Sequence, residues 1–147
     1  MTATFGAWAA GVIDKRTSDG AESGREVLKR AASALEDLSQ IATAAPRRSN
    51  SNSLVAVSHS AFLRVLLAVV DEQPLVASGL AKIQNAAINV LDISTDGKRQ
   101  TITNKSRLFT GFTGGTSSND LQLEFPQTYL IRRNEVRHLE GMDMNKV

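Results

Sequence analysis

The 147-residue sequence contains no cysteine and only two histidines. Without cysteine the chain forms no disulfide, no thiolate nucleophile and no cysteine-ligated metal site. The two histidines, His59 and His138, are far apart in the sequence and have no clustered carboxylates near them, so their spacing matches no recognised metal motif. The glycines of residues 111–115 lack the lysine that a P-loop requires. We therefore expect no metal and no cofactor.

Long apolar runs and an excess charge are also missing. The longest apolar run, residues 61–70, contains Arg64 and is about half the length of a membrane helix. The apolar amino-terminal residues carry no preceding basic residue, so we predict no signal peptide. The net charge of +2 is too small to indicate a nucleic-acid or membrane surface. We expect a soluble, cytoplasmic protein with neither of these partners.

Nucleic-acid binding is the weakest hypothesis that the composition leaves open. The arginines that would carry it share no helix face and are Arg47, Arg48, Arg107, Arg132 and Arg133. The five phenylalanines, one tyrosine and one tryptophan are scattered without a pattern, so no stacking platform for bases is indicated.

The length fits one domain, and its clearest element is a helix over residues 24–42. Apolar residues three or four apart predict its buried face. Two capping boxes fit its start: one runs from Asp19 to Glu22 and the other from Ser23 to Glu26. Residues 46–53 and 111–120 have no periodicity and are predicted to be flexible loops.

An apolar, β-branched segment at residues 54–58 predicts a strand buried on both faces, and residues 61–70 continue as a helix. Residues 86–93 and 99–103 alternate around a Thr-Asp-Gly turn, which suggests a hairpin at a sheet edge. Residues 129–131 predict a last short strand. Together these elements indicate an α/β fold with a mostly parallel, doubly wound sheet.

His59 stands where the predicted strand ends and the predicted helix begins. Ligands bind at that edge of an open parallel sheet, and a helix amino terminus favours anions. Ser60 starts the helix and offers its backbone N–H to an anion. The simpler alternative is a strand-end histidine whose hydrogen bonds are satisfied by backbone groups.

Four stretches resemble, in order and spacing, the carboxyl-terminal half of a histidine phosphatase (phosphoglycerate mutase-like) domain. They are the aromatic pair Phe5 and Trp8, the Gly-Ala-Glu-Ser motif at residues 20–23, the Val-Ser-His-Ser motif at 57–60 with the helix after it, and the asparagine-led strand at 84–90. Relative to the family, Ala21 is an insertion and Ser60 replaces a glycine.

The resemblance implies that Glu22 is the general acid that protonates the leaving oxygen, and that His59 holds the phosphoryl oxygens in the transition state. Phosphoryl transfer needs both a proton for a poor leaving group and clustered donors for the oxygens. The family's nucleophile, a histidine in an Arg-His-Gly motif after the first strand, has no counterpart here. Residues 137–139 echo that motif, but they follow charged residues instead of a buried strand.

We therefore expect a single, amino-terminally truncated domain over residues 1–147, with an incomplete sheet and no activity on its own. Its ligand would be a phosphorylated small molecule or a phosphoprotein, and self-association or a complementing amino-terminal half is a further expectation. The competing hypothesis is a non-catalytic module that binds a phosphorylated ligand or a protein.

Structural roles compete with functional ones at individual residues. Glu22 also fits as the third residue after Asp19 in a capping box. Arg25 and Arg30 are expected to be solvated or paired helix residues and not phosphate ligands, and Arg64 is expected to have a structural role. Ser58 is not predicted to be a nucleophile, because adjacent strand residues point to opposite faces and His59 could not serve as its base.

Overall fold

A computed structural model describes residues 2–10, 12–16, 18–44, 53–75, 83–103, 105–109 and 121–140. Apart from Ser53, the predicted loops at 46–53 and 111–120 lie outside these residues. The elements, in chain order, are α1 (Thr2–Ala9), α2 (Gly24–Ala44), α3 (Ser60–Asp71), β1 (Ile88–Ile93), β2 (Arg99–Thr103), β3 (Gln122–Pro126), β4 (Thr128–Glu135) and a 3-10 turn (Arg137–Leu139).

The two long helices were both predicted, and they form the centre of the core. α2 buries the apolar stripe that the sequence pattern predicts, including Leu28, Ala31 and Leu35. α3 is buried over residues 65–70 on all its faces, as expected of a helix with almost no polar residue in that stretch. α2 packs against both α3 and β3, where Phe125 is fully buried.

The strands predicted at 86–93 and 99–103 are present as β1 (Ile88–Ile93) and β2 (Arg99–Thr103), but the predicted hairpin between them is wrong. β1 pairs antiparallel with β4, and β2 pairs antiparallel with β3. The Ser94 N–H donates to the Gln127 carbonyl and the Gln127 N–H donates to the Lys98 carbonyl, at 2.8 and 2.9 Å. Both strands therefore run along one partner, residues 122–135, and the Thr-Asp-Gly turn bulges out of this ladder instead of reversing the chain.

The predicted strand at residues 54–58 is absent: residues 53–59 form no strand. The side chains of Val55 and Val57 are 94% and 95% exposed. A strand buried on both faces needs neighbouring strands on both sides, and none of the described strands lies beside this segment. The β-branched composition favours a strand, but none of the described residues pairs with this segment to bury its side chains.

The described elements make a mixed helix and strand structure that is consistent with an α/β fold. Among the described strands only antiparallel pairs occur, as two short two-stranded sheets. None of the helices in the described ranges is long and apolar enough to cross a membrane.

Candidate functional site

The amino terminus of α2 is fixed by the second of the two predicted capping boxes. The backbone N–H and the hydroxyl of Ser23 both donate to the Glu26 carboxylate, at 2.7 and 2.9 Å. In return, the N–H of Glu26 donates to the Ser23 hydroxyl at 3.3 Å. Ser23 is thus the N-cap residue, directly before Gly24, the first residue of the helix. The box from Asp19 to Glu22 does not cap it.

The segment before α2 is held against the helix start by aromatic packing. Trp8 of α1 is buried, and its indole N–H donates to the Lys15 carbonyl at 2.7 Å. Gly24, the first residue of α2, lies directly against the face of the indole ring. The Arg25 N–H also donates to the Ile13 carbonyl at 2.9 Å. These contacts position the short loop that carries Glu22, whereas the side chain of Phe5 lies outside the described part of the chain.

Ion pairs surround the same loop. Arg25 donates to both carboxylate oxygens of Asp14, at 2.7 and 3.1 Å, and this pairing lowers the pKa of Asp14. Arg16 donates to Glu26 at 2.9 Å and to the Ala21 carbonyl. Arg25 is therefore a paired helix residue, as predicted. The carboxylate of Glu22 bonds to Arg30 instead.

Glu22 lies two residues before the start of α2 and pairs with Arg30, two helical turns further on. The Arg30 Nε and Nη2 groups donate to the two carboxylate oxygens at 3.0 and 2.7 Å. Both side chains are about half exposed, at 46% for Glu22 and 49% for Arg30. The Glu22 side chain therefore points away from the helix start and makes no capping contact there.

Arg30 also reaches the first turn of α3. Its guanidinium carbon lies 4.4 Å from the centre of the Phe62 ring. Phe62 lies in the first turn of α3, three residues after His59, which precedes that helix. The contacts of Arg30 thus join the loop of Glu22 to the turn where His59 precedes α3. We call Glu22, Arg30 and Phe62 the arginine bridge.

His59 is exposed and precedes the first residue of α3, with an extended backbone at φ −92° and ψ 150°. Its side chain makes no capping hydrogen bond, and the first turn of α3 contains no acidic residue. The first backbone N–H groups of α3, beginning at Ser60, have no acceptor within the helix and no side-chain cap from His59. Such a helix start can accept an anion.

Sequence reasoning named Glu22, His59 and Ser60, and it expected Arg30 to be solvated or paired. It did not find Phe62, which was noted only as part of the helix motif. No local signal identifies Phe62, because its partner Arg30 lies on another helix. His138 belongs to the 3-10 turn that follows β4 and is exposed. Within the described residues, no group of histidine and carboxylate side chains could hold a metal ion.

Comparison with known families adds an independent observation. The model of the histidine phosphatase superfamily (branch 1) matches residues 1–106, which is well over half of the 147-residue chain. The chain belongs to this superfamily. The match includes α1, α2, α3, β1 and β2, and with them every residue of the arginine bridge as well as His59 and Ser60. No curated protein and no solved structure matches the chain.

Membership of the histidine phosphatase superfamily supports a phosphatase- or mutase-like function at the level of the superfamily. The match begins before the aromatic residues of α1 and ends beyond β2, so it is longer than the resemblance at residues 5–93 that the motifs carry. Within it, the sequence contains one histidine, His59. Any histidine chemistry of the matched region therefore depends on that single imidazole.

The capping box of this histidine phosphatase chain predicts an acid-sensitive helix start. Hydrogen bonds from the Ser23 backbone, Arg16 and the Ser23 hydroxyl lower the pKa of Glu26 from 4.5 to about 2. Because the folded-state pKa is depressed, the stabilisation is complete above pH 4.5 and is lost as the pH falls towards 2. We expect Glu26→Gln to flatten the dependence of unfolding free energy on pH across this window, measured by urea denaturation. An unchanged acid limb in Glu26→Gln would contradict the box.

Proposed function

We propose that this chain supplies the acid and the phosphate-binding groups of a phosphohistidine-forming phosphomonoesterase or phosphoglycerate mutase-like site. In this proposal Glu22 protonates the leaving oxygen, while His59 and the backbone N–H of Ser60 hold the phosphoryl oxygens. The nucleophilic histidine comes from an Arg-His-Gly segment that the 147 residues do not contain. The chain by itself is therefore inactive.

One observation carries this proposal: the arginine bridge joins the loop of Glu22 to the helix turn of His59. Glu22 and His59 are separated by 37 positions in the sequence, and the bridge links the two segments that carry them. Arg30 contacts Glu22 through two hydrogen bonds and contacts Phe62 through its ring. A single phosphoryl group needs an acid and oxygen-binding donors around it, and this arrangement supports both on one face.

The electrostatics of the α3 start also support an anionic ligand. The uncapped N–H groups give this end of the helix a partial positive charge, and no acidic residue of the first turn offsets it. His59 adds a hydrogen-bond donor at the same end. Anions bound at such a position are stabilised by about 0.3–1 kcal/mol from the dipole, before any direct hydrogen bond is counted.

The fold that we propose for the active protein contains residues 54–58 as a strand of a mostly parallel, doubly wound sheet. This segment is apolar, forms no strand in the described structure and is exposed at Val55 and Val57, which supports a strand partner that is supplied separately. An amino-terminal half with a strand ending in Arg-His-Gly would pair there and bring its histidine to the carboxyl end of the segment, beside His59. An unpaired apolar strand also favours self-association.

A second candidate function is a non-catalytic module that binds a phosphorylated small molecule, a phosphoprotein or a protein partner. The absence of a histidine nucleophile from the sequence favours it, because the remaining groups bind an anion without transferring it. Both candidates predict phosphate binding at His59. They differ in whether turnover appears once a nucleophile is supplied.

The test is complementation of the chain by a separately produced amino-terminal half that carries an Arg-His-Gly strand. We expect no hydrolysis of p-nitrophenyl phosphate by the chain alone and measurable hydrolysis by the complex. His59→Ala should lower the kcat of the complex by about 10²–10³-fold, as for other losses of a transition-state oxygen donor. Amide hydrogen exchange should show residues 54–58 becoming protected when the halves combine.

Three controls separate the outcomes. His138→Ala should leave the kcat of the complex unchanged, because His138 follows β4 and takes no part in the bridge. Turnover by the isolated chain that survives His59→Ala would overturn the assignment of the site. Phosphate binding without turnover in the complex, with residues 54–58 protected, would favour the non-catalytic module.

A further inference from the structure

Arg30 has more hydrogen-bonding capacity than its contacts use. A guanidinium group carries five N–H donors in a plane. The bond from Nε and the bond from Nη2 to Glu22 use two of them, which leaves both donors on Nη1 and one on Nη2. Because half of the side chain is exposed, these donors can reach a ligand from solvent.

The dipole of α3 does not favour the cation of Arg30 near the amino end of this helix. Cations stabilise the carboxyl end of a helix and destabilise the amino end, by about 0.3–1 kcal/mol. Phe62 nevertheless holds the Arg30 guanidinium against the first turn of α3, which has no acidic residue and no side-chain cap. Positive charge from Arg30 and from the helix end thus lies near the first turn of α3, and the Glu22 carboxylate offsets part of it.

The fold does not need this ion pair. Exposed ion pairs contribute about 0–1 kcal/mol to stability. The ion pair between Arg16 and Glu26 is a suitable comparison, because its side chains are exposed to a similar degree, at 47% and 45%. That pair serves the helix cap, since Glu26 also binds Ser23. Glu22 takes no part in the cap and Arg30 is stacked on a ring, so structural support does not account for the bridge.

We propose that Arg30 is an oxyanion ligand of the site, binding phosphoryl oxygens with the N–H groups that Glu22 leaves free while Phe62 fixes the plane of the guanidinium. The proposal rests on the proposed function and names a residue for it. A planar fork with two parallel donors matches two oxygens of a phosphoryl group, which an ammonium group cannot do as well.

The geometry has a consequence for Glu22. In the ligand-free arrangement both of its oxygens accept hydrogen bonds from Arg30, so neither is available to the leaving group. A phosphoryl group carries more negative charge than a carboxylate and competes for the same guanidinium. Binding would draw Arg30 towards the phosphoryl oxygens and free one oxygen of Glu22, which then takes up a proton from solvent and passes it to the leaving oxygen.

The test titrates the chain with inorganic phosphate and follows the guanidinium N–H signals of Arg30 and the imidazole signals of His59 by NMR. We expect both sets of signals to move with one binding constant. Arg30→Ala should weaken the binding measured at His59 by about tenfold or more, as expected for the loss of a charged hydrogen bond. Arg30→Lys keeps the charge but loses the fork, so it should weaken binding less than Arg30→Ala.

Arg16→Ala is the matched control, because it removes an arginine of equal exposure from the same neighbourhood. It should leave phosphate binding at His59 unchanged. Phe62→Leu keeps the charge and removes the ring, and it should weaken binding by about two- to fivefold. Circular dichroism and the thermal midpoint establish that each variant is folded.

The outcomes separate the two proposals. If phosphate moves the His59 signals equally in the wild type and in Arg30→Ala, the role of Arg30 is overturned while the phosphate site stands. If phosphate moves neither residue, both proposals fail. An equal loss in Arg16→Ala and Arg30→Ala would show a general charge effect and would also overturn the assignment of Arg30.

Discussion

Glu22→Gln is expected to slow the hydrolysis of an alkyl phosphate by about 10²–10⁴-fold in the complemented protein. An alkoxide is a poor leaving group and must receive a proton as the bond to phosphorus breaks. Glutamine preserves the shape of the side chain but has no such proton to give. p-Nitrophenolate leaves without a proton, so kcat for p-nitrophenyl phosphate should fall far less. The measurement is kcat for both substrates in the wild type and the variant.

The difference between the two substrates is what identifies a general acid. If Glu22 only positioned Arg30, its loss would slow both substrates by the same factor, and such a result would contradict the acid role. Asp19→Asn is a suitable control, because Asp19 is an exposed carboxylate of the same loop and is not the residue that caps α2. We expect it to change neither rate.

The acid role depends on which capping box is real. Two boxes fit the sequence equally well by spacing, one from Asp19 and one from Ser23. The structure uses Ser23 and Glu26, since their side chains and backbone groups bond reciprocally. Glu22 is therefore not part of the helix cap, and the interpretation of Glu22 as a capping-box residue does not hold. Its carboxylate bonds to Arg30 instead, which the local pattern alone could not indicate.

The helices could be predicted because their information is local. Residues 24–42 repeat apolar side chains at helical spacing, and α2 runs from Gly24 to Ala44. The strands at 88–93 and 99–103 were also predicted from local alternation. Their pairing could not be predicted, because each strand pairs with residues that lie 19 to 47 positions further along the chain. A turn motif between two strands does not decide whether the chain reverses there.

The segment at 54–58 shows the limit of composition as a signal. Apolar β-branched residues favour a buried strand, but a strand acquires its burial from neighbours. In the described structure this segment has no strand partner and Val57 is almost fully exposed. The candidate site shows the same contrast between features that are local in the sequence and contacts that depend on distant residues. Glu22 and His59 were proposed from their motifs, whereas the contacts of Arg30 with Glu22 and with Phe62, which lies on another helix, have no local signal in the sequence.

Gly24→Ala is expected to destabilise the protein by about 1–3 kcal/mol, even though alanine is the better helix former. A Cβ at this position would lie 2.7–2.9 Å from three ring carbons of Trp8, which is closer than van der Waals contact permits. The ring is buried and its N–H is bonded to Lys15, so it cannot move away freely. Urea denaturation followed by tryptophan fluorescence measures the effect, because Trp8 is the only tryptophan.

Gly6→Ala is the matched control, because Gly6 lies in α1 and an added Cβ would meet nothing within 4 Å. Alanine there should stabilise the protein by about 0.5–1 kcal/mol, through the lower backbone entropy of the unfolded chain. The two glycines therefore predict opposite signs for the same substitution. A loss of stability in both would contradict steric contact with Trp8 as the cause at Gly24.

Removing the ring should reverse the sign at Gly24. Trp8→Ala alone is expected to cost about 3–5 kcal/mol, as for other buried aromatic residues. In that background, circular dichroism replaces fluorescence, and Gly24→Ala should become neutral or stabilising because only its helix preference remains. Since Gly24 lies two residues after Glu22, a ring that pushes the start of α2 aside also displaces the carboxylate from Arg30. Gly24→Ala should therefore weaken the acid step in the complemented protein, and Gly6→Ala should not.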